Sequence, residues 1–111
     1  MGKRYIITES RLNDFIYEYL TNEYHPDYNW GPELHDFYRK DIKKHGFHDF
    51  EINHKRAFAY RGQGRDHLLV RNWVGMKLDS LFGDAWKPVF VKWFEDNSGL
   101  PVEELIDWDM D

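Results

Sequence analysis

Six cations fall between His54 and Lys77, at Lys55, Arg56, Arg61, Arg65, Arg71 and Lys77, against one acid, Asp66. The rest of the chain is acidic. Residues 1–53 carry 7 Lys/Arg and 10 Asp/Glu, and residues 78–111 carry 2 and 9, within a formal net charge of −5. Guanidinium groups hold carboxylates and phosphates through paired N–H donors, so this middle segment has the chemistry of an anion site. Interleaved with Phe58, Tyr60 and Trp73, it also has the composition of a single-stranded nucleic-acid surface, where cations follow phosphates and rings stack on bases. The acidic total argues against that use, because nucleic-acid modules are usually basic. A third reading has the acidic tail folding back over the basic segment and neutralising it. The residues expected to bind are Arg56, Tyr60, Arg61, Arg65 and Arg71. They serve a protein partner in the preferred reading and nucleic acid, through residues 54–77, in the alternative.

Other constellations are weaker. The segment Arg61-Gly62-Gln63-Gly64-Arg65 offers glycines and two guanidiniums to a phosphate, but it has neither the Gly-Lys-Ser/Thr of a P-loop nor three spaced glycines in a βαβ unit. A hairpin loop explains it more simply. The acids and histidines Asp41, His45, His48, Asp49, Glu51 and His54 are the densest metal-ligand types. Zinc needs three or four of them converging, whereas a strand here sends His48 and His54 to one side and Asp49 and Glu51 to the other. No metal or cofactor is expected. Asp107-Trp108-Asp109-Met110-Asp111 alternates like the start of an EF-hand loop, but the sequence ends before its glycine and its bidentate glutamate. The three serines, Ser10, Ser80 and Ser98, lie in no nucleophile elbow. No catalytic residue is assigned, and a hydrolase or nuclease built on histidines and acids ranks third.

The scaffold must come from aromatic packing. The 111 residues include 8 Phe, 7 Tyr and 5 Trp and no cysteine. Each buried ring removes roughly 150–250 Å² from water, enough for one core without disulfides or Cys-ligated zinc. The N-terminus lacks the apolar region of a signal peptide, and no apolar run has the length of a membrane span. A soluble, cytoplasmic protein is expected.

The elements follow from periodicity. Arg4-Tyr5-Ile6-Ile7 reads as a short strand and Thr8 as a helix cap, with Ile7 and Leu12 as a hydrophobic staple. Leu12, Phe15, Ile16, Tyr19 and Leu20 mark one helical face. The stretch from His25 to Gly31 is a loop. Pro32 opens a second helix with the stripe Leu34, Phe37, Tyr38 and Ile42, stopped by Gly46, after which Phe47 packs back on Ile42. Phe47 to Asn53 alternates as a half-buried strand, and Ala57 to Tyr60 is a second. Residues 67–71 suit a strand or a helix start; a strand is preferred, with a helix from Asn72 to Phe82 ended by Gly83. Asp84 is expected to cap a last helix carrying Trp86, Phe90, Trp93 and Phe94, with Pro88 just past its first turn. Leu100 to Ile106 reads as an edge strand, followed by a frayed acidic tail from about residue 107.

Two stretches carry a resemblance. Tyr5-Ile6-Ile7-Thr8-Glu9-Ser10 leading into Leu12 is similar to the start of small open reading frames of bacteriophages and marine viruses. Trp93-Phe94-Glu95-Asp96-Asn97-Ser98-Gly99-Leu100-Pro101-Val102 resembles their C-terminal helix-then-strand unit. The resemblance covers a third to a half of the chain. It implies a small intracellular accessory protein and assigns no functional residue.

The sequence therefore predicts a single α+β domain of about four helices on a short, mainly antiparallel sheet. Its expected function is non-enzymatic binding of a protein partner.

Overall fold

The computed structural model describes residues 9–28, 30–62 and 66–108. The expected strand over 4–7, the Thr8 cap with its staple, Arg65 and the end at 109–111 lie outside these residues. Among the described residues, four α-helices pack on one four-stranded sheet in a single α+β domain. The order is α1 (Glu9–Glu23), α2 (His35–His45), β1 (Phe47–Ile52), β2 (Lys55–Arg61), β3 (His67–Arg71), α3 (Asn72–Phe82), α4 (Trp86–Ser98) and β4 (Glu104–Trp108). Short 3-10 turns precede α2 and α4.

The sheet runs β1-β2-β3-β4. Its first three strands are antiparallel neighbours and β4 lies parallel to β3. The parallel pair exists because α3 and α4 together form the crossover between its strands, as parallel pairing requires. The sheet is thus mixed, and mostly antiparallel.

Two local devices set the register. Asn53 and His54 form a two-residue hairpin loop with φ of 54° and 65°, the left-handed pair that matches the twist of the flanking strands. Asp27 fastens this loop: its carboxylate accepts the Asn53 N–H at 2.8 Å and the His54 N–H at 2.9 Å. The second device is a bulge. Ile52 pairs with Lys55 and Glu51 with Arg56, but Phe50 pairs with Phe58, which leaves Ala57 as an extra residue.

One face of the sheet meets the helices. Phe50, Phe58, Tyr60, Leu68 and Val70 join Trp86, Phe90, Trp93 and Phe94 of α4 in one buried cluster with Ile16 and Leu20 of α1. Trp30 links them from its loop, with its ring centroid 5.3 Å from Phe50 and 5.2 Å from Trp93. Helix α2 stops at Gly46, whose φ of 87° is a left-handed cap and whose N–H donates to the Ile42 carbonyl.

Several expectations need correction. Phe15 is 62% exposed and Phe37 45% exposed, although both were placed on core faces. Phe15 instead lies edge-on to Phe82, with centroids 6.1 Å apart, at the surface between α1 and α3. Leu12 is only partly buried. Asp84 does not cap α4. It sits in the 3-10 turn Gly83–Ala85 and pairs with Lys87 at 3.5 Å, and Pro88 falls inside the first turn of a helix that starts at Trp86. The last strand begins at Glu104 because residues 100–103 bond elsewhere. The Leu100 N–H donates to Ser98 Oγ, the Val102 N–H to Glu95 and the Glu103 N–H to the Asp66 carbonyl. Asp107 and Trp108, expected to fray, are strand residues. Among the described residues, no helix is long and apolar enough to cross a membrane.

Candidate functional site

Pleating turns alternate residues of each strand away from the helices. On that outer face Asp49 of β1 lies opposite Ala59 of β2, which lies opposite Leu69 of β3. Phe47, Arg61 and His67 form the next row. Ala59 and Leu69 are buried yet lie outside the helical core cluster, so their cover comes from the long side chains around them.

These residues enclose a cavity of about 350 Å³ lined by His45, Gly46, Phe47, Asp49, Arg56, Ala59, Arg61, Leu69 and Arg71. The wall is apolar at Phe47, Ala59 and Leu69 and cationic at the three arginines. Arg71 is the inner cation, its side chain only 9% exposed. Its Nη2 stands 3.4 Å from Asp49 Oδ1, and Arg56 Nε stands 3.7 Å from Asp49 Oδ2. Arg56 itself is 65% exposed, and Arg61 is exposed on the same strand. With Arg61, the lining residues carry three guanidiniums and the carboxylate of Asp49.

Of the five residues expected to bind, three meet here: Arg56, Arg61 and Arg71. Arg65 lies outside the described residues. Tyr60 does not join them. It points to the other side of the sheet, where it stacks on Phe94 at 5.7 Å and donates its hydroxyl to the Pro101 carbonyl at 2.7 Å. Burial, with Asp66 nearby, holds its phenol well above the ordinary range. Sequence reasoning missed Asp49 as the counter-charge, and Phe47, Ala59 and Leu69 as the apolar wall.

The pleat also takes apart the proposed stacking surface. Arginines and aromatics that interleave along the sequence separate in space. Phe58 and Tyr60 are buried. Trp73 donates its ring N–H to the Arg56 carbonyl at 2.8 Å, with the Lys55 ammonium 4.7 Å above the ring.

The acidic tail does return to the basic segment, but through backbone pairing of β4 with β3. Glu104 of that strand stands 3.6 Å from His67 Nε2. Arg56 and Arg71 each also stand within ion-pair distance of Asp49.

The histidine and acid cluster separates too. His48 donates from Nδ1 to Asp41 Oδ2 at 2.6 Å and packs its ring 4.7 Å from Phe50 and 5.2 Å from Tyr38. His45 stands 3.7 Å from the other oxygen of Asp41. Glu51 accepts from the Tyr28 hydroxyl at 3.1 Å. No group of three or more His, Asp or Glu among the described residues is arranged to hold a metal ion.

No family model, curated protein or solved structure matches the chain.

Proposed function

We propose that this protein is a non-enzymatic binding protein that receives an anionic group of a protein partner in the arginine cavity of its outer sheet face. One observation carries the reading: the nearly buried side chain of Arg71 lines the cavity with the exposed Arg56 and Arg61, and the acid among the lining residues is Asp49. Desolvating a guanidinium is costly, and its charge acts more strongly on a ligand there than on the open surface. The cavity lies at the low end of the roughly 300–1,000 Å³ of small-ligand clefts, which suits one anchoring group and not a whole partner surface.

Nucleic acid is the second reading, on the strength of the same three arginines with half-exposed Phe47 beside them. The arrangement favours it less. A nucleic-acid strand needs a basic track with stacking rings, and here Asp49, Glu51 and Glu104 interrupt the basic face while the rings of β2 point inward.

Retention of partners on the immobilised protein tests the proposal, with Arg56→Ala/Arg61→Ala as the control. Both side chains are exposed at their tips, so the fold should survive. The expected result is a protein partner lost with the double variant and weakened by added salt, as exposed charge contacts are screened. Short single-stranded DNA or RNA should show no binding at physiological salt. Tight oligonucleotide binding with a steep linear dependence of log K on log salt would replace this reading with the second one.

A further inference from the structure

We propose that the arginine cavity is a phosphate-monoester subsite, so that the partner is recognised at a phosphorylated side chain. The inference rests on the anion-binding reading above and narrows it.

Charge is the first support. Arg56, Arg61 and Arg71 against Asp49 give the lining residues a formal excess of two positive charges. A phosphate monoester brings about −1.5 to −2 at neutral pH and neutralises them. A carboxylate brings −1 and matches only half of that excess. Direction is the second. Arg71 approaches from the interior on β3, while Arg56 and Arg61 stand on β2 on either side of Ala59. Guanidiniums at three points on one cavity wall suit a tetrahedral group with three free oxygens. A planar carboxylate is satisfied by a single guanidinium fork.

The cavity volume of about 350 Å³ also leaves room for the group that carries the phosphate, against the apolar wall of Phe47, Ala59 and Leu69. Asp49 sets the limit. It aligns two of the arginines and repels a second anion close to the first, so the site takes one dianion and not a run of phosphodiesters.

The test uses the intact protein and three probes: phenyl phosphate, benzoate and a short single-stranded oligonucleotide, each followed by calorimetry and by the guanidinium resonances of the arginines. Phenyl phosphate should bind about tenfold more tightly than benzoate, and Arg61→Ala should reduce its affinity about tenfold, the scale of one hydrogen bond to a charged group. Arg71→Lys, which keeps the charge and removes the fork, should weaken phenyl phosphate more than benzoate. Equal affinity for the two small anions would overturn the phosphate assignment and leave the anion cavity standing. No binding of either at millimolar concentration would remove both. An oligonucleotide that displaces phenyl phosphate would overturn the assignment in favour of nucleic acid.

Discussion

Asp49 and Arg71 reach each other across an intervening strand. Asp49 lies on β1 and Arg71 on β3, yet Arg71 Nη2 stands 3.4 Å from Asp49 Oδ1, and the β2 residue opposite Asp49 is the short Ala59. A larger side chain at that position would fill the cavity and part the pair.

Asp49→Asn is therefore expected to act in two directions. It removes the counter-charge of a nearly buried guanidinium and should lower stability by roughly 1–3 kcal/mol, the scale of a lost charged hydrogen bond. It also removes the carboxylate that competes with a bound anion, so affinity for phenyl phosphate should rise. Urea unfolding and calorimetry on the same variant check both. Unchanged stability would mean that the pair does no structural work.

Two phenylalanines of opposite fate test the core. Phe94 is fully buried, with its ring 5.5 Å from Phe50 and 5.7 Å from Tyr60. Phe94→Ala should cost about 3–5 kcal/mol. Phe15→Ala should cost no more than about 1.5 kcal/mol, the value of one aromatic pair, since its ring is mostly in water. Equal losses in denaturant melts would contradict the assignment of the two faces.

His54 carries a φ of 65° without being glycine. A side chain in that region costs on the order of 1–2 kcal/mol, partly offset by the entropy glycine adds to the unfolded chain. His54→Gly should raise stability by up to about 1 kcal/mol, read as a higher denaturation midpoint at unchanged slope. A fall in stability would show that the imidazole holds the turn.

Stability should decline at both ends of the pH range for separate reasons. The His54 and Asn53 N–H groups hold the Asp27 carboxyl below its ordinary value of 3.8. Its contribution is complete above that value and is lost as pH falls through the lower folded one. At the other end, burial, with Tyr19 and Glu23 nearby, pushes the Tyr24 phenol from 10.0 up to about 12. That contribution is complete below 10 and is lost as pH rises towards 12. Asp27→Asn should flatten the acid limb of the stability curve. Phenolate absorbance from Tyr24 should be missing at pH 11 in the folded protein, and its appearance there would contradict the burial of the ring.

The sequence was most legible where periodicity had length to work with. Strand β1 and helix α3 lie where alternation, the Asn72 start and the Gly83 stop put them, and β3 takes the strand of the two readings open for residues 67–71. The faces were harder to read. Counting back from the hairpin loop, with Ile52 opposite Lys55, an unbroken ladder would set Arg61 opposite Gly46 and on the same side as His48 and Phe50. The extra residue Ala57 shifts the register by one, and a shift of one moves a side chain to the other face. No signal in the sequence marks that bulge, so Asp49 could not be matched to Arg61, nor Tyr60 separated from Arg56. Trp30 was hidden for a different reason: a loop residue has no periodicity to show that its ring enters the core. Phe15 was misplaced because a helical stripe can be wider than the surface that covers it.

The parallel pairing of β3 with β4 bears on the order of assembly. The β1-β2-β3 meander joins neighbours in sequence through short loops, whereas β4 pairs only after α3 and α4 have brought the chain back. Contacts that close long loops form late, because their entropy is lost before the contact repays it. The amides of β4 should then gain protection from hydrogen exchange last during refolding and, at the edge of the sheet among the described residues, lose it first in the native protein. The arginine cavity draws every wall residue from the end of α2 and from β1, β2 and β3, so it is complete before the final strand docks.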